Sequence, residues 1–76
     1  MSDMRLTLPP DIYIRGLFGA QTARDGGIVR RPVREVERVV GRRPFVVEMR
    51  RRGFTVLEQA GQFVVFCNQE PVREVI

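Results

Sequence analysis

The stretch that decides the fold is Arg30-Arg31-Pro32-Val33-Arg34-Glu35-Val36-Glu37-Arg38-Val39-Val40-Gly41, followed at once by Arg42-Arg43-Pro44-Phe45-Val46-Val47-Glu48-Met49-Arg50-Arg51-Arg52-Gly53. Each twelve-residue block opens with Arg-Arg-Pro and an apolar residue, and each closes with glycine. Proline is favoured in the first turn of a helix, and glycine is common just past a helix end. The tandem block therefore predicts two short helices, residues 32–40 and 44–52, joined by a tight turn at Gly41.

Positive charge is concentrated in this tandem block. All thirteen basic residues of the chain are arginine, and nine of them lie in residues 30–53 against three glutamates, a net charge of +6. The remaining residues carry four arginines against six acids, a net charge of −2. Exclusive use of arginine is also what codon usage in a GC-rich bacterial genome produces. The uneven placement of the charge is more informative, and it predicts a surface that binds a polyanion.

Length and composition limit the other possibilities. With 76 residues and a single cysteine, the chain has room for one domain and no internal disulfide. A domain this small buries only about 60% of its unfolded surface, so we expect a homodimer. No stretch approaches the roughly 20 apolar residues of a membrane span, and the first residues lack the pattern of a signal peptide. We expect a cytoplasmic protein with a leader (residues 1–10), a folded domain (residues 11–68) and a C-terminal tail (residues 69–76).

The segments around the block complete the predicted order of elements. Helical periodicity favours a helix over residues 11–24, although Ile12-Tyr13-Ile14 also fits a strand. Residues 27–30 predict a short strand. After Gly53 the apolar residues alternate, which predicts strands at 54–57 and 63–67 joined by a hairpin loop. The last strand is apolar on both faces, so we expect the helices to cover one face and a partner subunit or the tail to cover the other. The tail itself fits a helical turn capped by Asn68 and a strand equally well.

The predicted order is helix, strand, helix, helix, strand, strand, an α+β fold. Over residues 11–68 this order resembles the winged helix-turn-helix family. The resemblance is carried by Gly41 between the helices, by Arg-Arg-Arg-Gly-Phe at 50–54, and by the hairpin at 54–67. It implies a DNA-binding transcriptional regulator, with DNA preferred over RNA, whose helix 44–52 enters the major groove. It also requires residues 11–24 to be helical.

Candidate binding residues follow from the helical faces. At helical spacing one stripe of helix 44–52 lies opposite Phe45 and is formed by Arg43, Val47, Arg50 and Arg51. In a major groove, arginine can bond guanine O6 and N7, and an apolar side chain can meet the thymine methyl group. On the preceding segment, contacts to phosphates are expected from Arg31, Arg34 and Arg38. The alternative is that Val47 packs beneath another element and that the arginines only solvate a helix end. The hairpin loop 58–62 has no cation, which argues against a DNA contact there and leaves room for a protein partner.

The sequence argues against an enzyme. It has no histidine or lysine, its one serine is Ser2, and Cys67 lies in an apolar strand where a thiol is usually inert. We therefore predict no catalytic residue, no metal, no cofactor and no small-molecule substrate.

Two other functions stay open at the level of sequence. Residues 47–67 are similar to the opening of HicA-type mRNA interferase toxins, which have a double-stranded-RNA-binding-like fold. The catalytic histidine of that family is missing, so this resemblance implies an RNA-binding domain without nuclease activity and a strand directly after residue 67. The other possibility is a protein-interaction adaptor, such as an anti-activator, that uses the apolar strand 63–67 and the neutral loop instead of binding nucleic acid.

Overall fold

A computed structural model describes residues 9–76, and most of the leader predicted at residues 1–10 lies outside the described residues. The elements are α1 (Pro10–Phe18), α2 (Gln21–Arg24), β1 (Ile28–Pro32), α3 (Val33–Val39), α4 (Arg42–Arg52), β2 (Thr55–Gln59) and β3 (Gln62–Phe66). The predicted α+β fold and the order of its elements are confirmed. Among residues 9–76, no helix is both long enough and apolar enough to cross a membrane.

Residues 11–24 are helical and not extended, but they form two helices and not one. Pro10 begins α1 in the first turn, where its missing N–H costs no hydrogen bond. Between the helices Ala20 takes an extended conformation, with φ −67° and ψ 150°. This residue ends the helical path, so α2 starts in a new direction at Gln21. Both helices face the interior with buried apolar side chains, Ile14, Leu17 and Ala23.

The two halves of the tandem block fold differently. In the first half Arg-Arg-Pro is the end of strand β1, and α3 starts only at Val33. In the second half the same three residues form the first turn of α4, two residues earlier than predicted. Gly41 joins the helices with φ 97° and ψ 143°, a conformation that is essentially restricted to glycine. The predicted turn at Gly41 is therefore confirmed.

Helix α4 ends in a Schellman motif. The Gly53 N–H donates to the Arg50 carbonyl and the Phe54 N–H to the Met49 carbonyl, both at 3.0 Å. Gly53 has the positive φ of 77° that this motif requires. The motif turns the chain directly from α4 into β2.

The three strands form an antiparallel sheet in the order β1-β3-β2. The connection between β2 and β3 is shorter than predicted, a two-residue turn at Ala60-Gly61 in which both residues have positive φ. Positive φ at both central positions is typical of the tight hairpin turns that match strand twist. Pro32, which lacks an N–H, ends β1 at the edge of the sheet, where proline is tolerated.

The core lies between the helices and one face of the sheet. Its largest fully buried side chains are Phe45, Met49, Val36 and Val65. Phe45 stacks on Phe63 of β3 with 5.2 Å between ring centroids. Val46 of α4 is only half-buried, and it lies beside this core and not within it.

The tail contains neither a helix nor a strand, so both predictions for it are wrong. Asn68 does not cap a helical turn; its side-chain Nδ2 donates to the Gly26 carbonyl at 2.9 Å and its Oδ1 accepts from the Glu70 N–H. These bonds tie the start of the tail to the loop before β1. The strand that an RNA-binding fold of the HicA type places after residue 67 is likewise absent from residues 67–76.

Two glycine substitutions are expected to change stability in opposite directions. Gly41→Ala should lower the free energy of unfolding by about 1–3 kcal/mol, because alanine is strained at this φ and its Cβ would lie 3.3 Å from Pro44 Cδ. Gly16→Ala lies in helix α1 with nothing within 4 Å of the new Cβ, so it should raise the free energy of unfolding by roughly 0.5–1 kcal/mol. Urea titration of both variants measures these changes. Equal effects of the two substitutions would contradict the geometry assigned to the α3–α4 turn.

Candidate nucleic-acid interface

The outward face of α4 presents three of the predicted binding residues together. Phe45 and Met49 bury the inner face of the helix, with exposed fractions of 0% and 1%. On the opposite side Arg43, Val47 and Arg50 line one shallow surface. Val47 is 55% exposed, so no other element among residues 9–76 covers it. An exposed valine between two arginines is therefore a real feature of this surface.

Arg51 does not share that surface, although the sequence grouped it with Arg43 and Arg50. It lies on the side of α4 that faces α1, in a groove lined also by Pro10 and Arg15. Its guanidinium makes a bidentate pair with Glu48, with Nε–Oε1 at 3.1 Å and Nη2–Oε2 at 2.5 Å. The sequence did not predict this pair between Arg51 and Glu48, three residues earlier on the same helix. The pair occupies two hydrogen-bond donors of Arg51 that a nucleic acid would otherwise use.

Glu48 also binds Arg52, which makes it the anionic centre of the last turn of α4. The Arg52 Nε lies 2.8 Å from Glu48 Oε2, and the Arg52 guanidinium stacks 4.8 Å above the Phe18 ring of α1. Hydrogen bonds from Arg51 and then from Arg52 lower the pKa of Glu48 to about 2. The carboxylate is therefore charged at neutral pH, and it offsets part of the positive charge at this end of the helix.

Arg42 connects three elements of the fold, a role that the sequence did not predict. Its guanidinium contacts Glu37 of α3 at 3.1 Å and Glu58 of β2 at 2.6 Å. It also lies 5.2 Å above the ring of Phe63, on which Phe45 stacks. Arg42 thus connects α3, α4 and the hairpin, and it pairs with the one acid that the hairpin carries. Glu58 is 16 residues from Arg42 in sequence, so helical spacing could not have revealed that contact.

Helix α3 presents two exposed arginines. Arg34 and Arg38 are exposed and form no ion pair within the described residues. Glu35, which helical spacing places one turn from Arg38, accepts a 2.5 Å hydrogen bond from the Tyr13 hydroxyl instead. Glu35 therefore forms no ion pair with Arg38, because α1 supplies a hydrogen-bond partner for the carboxylate.

Arg31 differs from its neighbours on α3. It is half-buried on β1, and its Nη1 donates to the Arg30 carbonyl at 2.6 Å. Some of its donors are therefore used within the protein, which leaves Arg31 less able to bind phosphate than Arg34 and Arg38.

The resulting charge distribution separates paired from unpaired arginines. All three glutamates of the tandem block have partners within the protein: Glu35 binds Tyr13, Glu37 binds Arg42, and Glu48 binds Arg51 and Arg52. Four arginines on α3 and α4 have no acidic partner within residues 9–76. They are Arg34, Arg38, Arg43 and Arg50. These four side chains supply the positive potential of the candidate interface.

An open cleft of about 440 Å³ lies between α4 and β2, beside the same surface. Val46, Phe54 and Val56 form apolar parts of its wall, and Arg42 and Arg50 also line it. The cleft can accept an apolar group next to a guanidinium. Sequence analysis missed it because its walls come from α4 and from the hairpin, and only tertiary structure brings those together.

Cys67 is buried at the end of β3. Burial raises the pKa of its thiol, which favours the protonated form over the nucleophilic thiolate.

No protein-family model, curated protein or solved structure matches this chain. What the structure supports is a small α+β fold with a three-stranded antiparallel sheet and several helices, whose shape is compatible with a winged helix. The positions of the side chains on α3 and α4 therefore carry the functional assignment.

The bond between Tyr13 and Glu35 can be tested by titration. Burial first, and then the hydrogen bond to the Glu35 carboxylate, raise the pKa of Tyr13 above its ordinary value. Because Tyr13 is the only tyrosine and the chain has no tryptophan, ultraviolet absorbance of the phenolate reports on this one group. We expect the phenolate to form at higher pH in the folded protein than in denaturant. Formation at the same pH in both would contradict the contact.

The raised pKa of Tyr13 also determines how the stability of the fold changes with pH. The folded state holds the Tyr13 proton more tightly than the unfolded state, so the stabilisation is complete below about pH 10, the ordinary tyrosine value, and is lost as pH rises above it. Tyr13→Phe should lower the free energy of unfolding by about 1 kcal/mol at neutral pH. Measured by denaturant titration, the difference between variant and wild type should shrink above pH 10.

Proposed function

We propose that this protein binds duplex nucleic acid, DNA in preference to RNA, through the outward face of α4, and that it serves as a small DNA-binding transcriptional regulator of the winged-helix type. The observation that carries the proposal is the separation of charges on α3 and α4. Every acid of the tandem block is paired within the protein, and four exposed arginines are not. A phosphate backbone is the partner that such a surface suits best.

The arrangement of elements supports the same proposal. Two helices joined at Gly41 are followed by a hairpin, and the hairpin pairs with β1, which precedes the helices. In the winged-helix family the second of these helices, α4 here, lies in the major groove. Residues 10–18 and 21–24 are helical, as the family resemblance requires.

The proposed roles differ between the two helices. Arg43 and Arg50 bond base edges, with guanine O6 and N7 as the best acceptors, and Val47 between them meets the methyl group of thymine. Arg34 and Arg38 of α3 bind phosphates and position the domain on the duplex. Arg51 contributes charge near the end of α4, but its pairing with Glu48 reduces its share. Arg31 contributes least, because it is half-buried.

The hairpin does not contact the nucleic acid in this proposal. Its turn, Gln59-Ala60-Gly61-Gln62, contains no cation, and Glu58 is paired with Arg42. Contacts are therefore confined to α3 and α4, which predicts a short binding site and a modest dependence of affinity on salt.

A second function, a protein-interaction adaptor or anti-activator, is favoured by one specific observation. The cleft between α4 and β2 has an apolar wall at Val46, Phe54 and Val56 next to exposed arginines. Such a cleft suits an acidic protein segment with an apolar anchor, and a protein that used it would need no nucleic acid.

The proposal is tested with the double variant Arg43→Ala/Arg50→Ala. On random duplex DNA, where no base is selected, Arg43 and Arg50 contact phosphates. Removing both should therefore weaken binding and reduce the slope of log K against log salt by nearly two, since each lost phosphate contact changes it by about 0.9. Fluorescence anisotropy with random duplex DNA at several salt concentrations measures both effects. A parallel titration with duplex RNA tests the preference for DNA.

The control is Arg15→Ala/Arg24→Ala, which removes the same charge from α1 and α2. It should leave the salt slope within about half a unit of the wild-type value. Equal effects of the two double variants would show that binding depends on net charge and not on α4. If wild-type protein shows no salt-sensitive binding to either duplex, the nucleic-acid function is wrong and the adaptor is favoured.

A further inference from the structure

One face of the sheet lies open. The helices cover the face that carries Phe63 and Val65, and the register places nine other side chains on the opposite face. This open face consists of Ile28, Arg30, Pro32, Thr55, Leu57, Gln59, Gln62, Val64 and Phe66. Ile28 and Leu57 on its two edge strands are 45% and 44% exposed, whereas Val64 on the central strand is 7% exposed. One residue in nine is charged, a low fraction for a chain that is 29% charged.

The tail provides a second exposed apolar element. Every residue from 69 to 76 is exposed, and the apolar side chains Val72, Val75 and Ile76 have exposed fractions of 41%, 90% and 106%. Within the described residues no hydrogen bond is formed by the tail beyond Glu70. These side chains have no role within the single chain.

The start of the tail directs it away from the open face of its own sheet. Asn68 is bonded to the Gly26 carbonyl, and Gln69 Nε2 lies 3.4 Å from the carbonyl oxygen of Arg52 at the end of α4. The Gln69 side chain also packs against Gly53. These contacts place the start of the tail beside the C-terminal end of α4. The open face of the same chain stays uncovered.

The area of the open face is too small for a stable dimer interface by itself. Three strands about 4.8 Å apart, each five residues long at about 3.3 Å per residue, give a face of roughly 250 Å². A stable interface buries about 800 Å² per partner. Two open faces stacked on each other therefore fall short, and a further apolar element has to contribute.

The charges of the two elements are complementary. Arg30 lies in the middle row of the open face, beside Val64, and has no ion-pair partner within residues 9–76. The tail carries Glu70, Arg73 and Glu74, a net charge of −1, and none of the three forms an ion pair there. When a tail packs on this face, Glu74 can approach Arg30, the one charged residue of the face. Val72 and Val75, which lie near Glu74 in sequence, supply apolar side chains.

We propose that two copies of this chain form a dimer by exchanging tails, the tail of each copy packing on the open sheet face of the other. Apolar tail residues cover Ile28, Leu57 and Phe66 of the partner copy, and Glu74 pairs with Arg30. Each copy contributes one face and one tail, so the dimer contains two equivalent contacts. The inference does not rest on the proposed function, because none of these residues belongs to α3 or α4.

Two single variants and their mixture test the exchange. Leu57→Glu damages the face, and Val75→Glu damages the tail. Each homodimer then has two damaged contacts, and sedimentation velocity over a range of concentrations should show at least a tenfold rise in Kd for each. In the mixture, the two variants can form a heterodimer. One of its two contacts joins the intact tail of the Leu57→Glu variant to the intact face of the Val75→Glu variant. We therefore expect the heterodimer to form more tightly than either homodimer.

The control is Val47→Glu, which adds the same charge at an exposed valine of α4 and should leave the Kd of the dimer unchanged. Circular dichroism verifies folding, and Ile28→Glu replaces Leu57→Glu if that variant unfolds. A wild-type protein that stays monomeric at all concentrations overturns the proposal, which leaves the open face to a different protein. The exchange of tails is overturned if Val75→Glu dimerises with the wild-type Kd. It is also overturned if the heterodimer in the mixture has a Kd no lower than the Kd of the two homodimers.

Discussion

The stack of Phe45 on Phe63 is the contact on which the rest of this structure depends. It is almost completely buried, and it fixes α4 to the central strand of the sheet. Once Phe45 points inward, helical geometry requires Arg43, Val47 and Arg50 to point outward. Arg42 lies over the same Phe63 ring and forms ion pairs with Glu37 of α3 and Glu58 of β2. It therefore connects α4 to α3 and to the hairpin. One aromatic contact therefore positions both the core and the candidate interface.

The distribution of ion pairs gives that interface its character. A strongly basic segment of sequence does not by itself create a basic surface, because its acids can neutralise any of the arginines nearby. Here the acids are held elsewhere: Glu35 by a tyrosine of α1, Glu37 by Arg42, and Glu48 by the last turn of α4. Exposed ion pairs of this kind contribute little stability. Their main effect is to decide which arginines keep an unopposed charge.

Much of the architecture could be predicted from local signals. Gly41 and Gly53 marked the turn and the end of the helices, and the switch to alternating apolar residues after Gly53 marked the hairpin. The errors occurred where local signals were ambiguous. Gly19 caps the end of α1, but a single glycine also occurs within helices, so it did not by itself indicate the extended Ala20 that separates α1 from α2. The tail repeats the letters Pro-Val-Arg-Glu-Val of α3, yet it remains irregular because no apolar surface of its own domain packs against it.

The candidate site could be predicted only in part for a related reason. Helical spacing placed Arg43, Val47 and Arg50 on one surface correctly, since those positions depend on a single helix. The same reasoning included Arg51 and omitted Arg42, because the partners that distinguish them depend on how α1, α3 and β2 pack against α4. The cleft beside the site was invisible to sequence analysis for the same reason.

By itself, the sequence determined the approximate order of helices and strands, which face of each is apolar, and that positive charge gathers in one segment, because these properties depend on near neighbours in the chain. Only tertiary structure decided that the same Arg-Arg-Pro is a strand end at 30–32 and a helix start at 42–44. The first copy is paired with β3 at Phe63 and Val64, whereas the second follows the turn at Gly41 and is held by Phe45 in the core. Long-range burial and pairing separate two identical local signals, and they also decide which arginines are left free to bind.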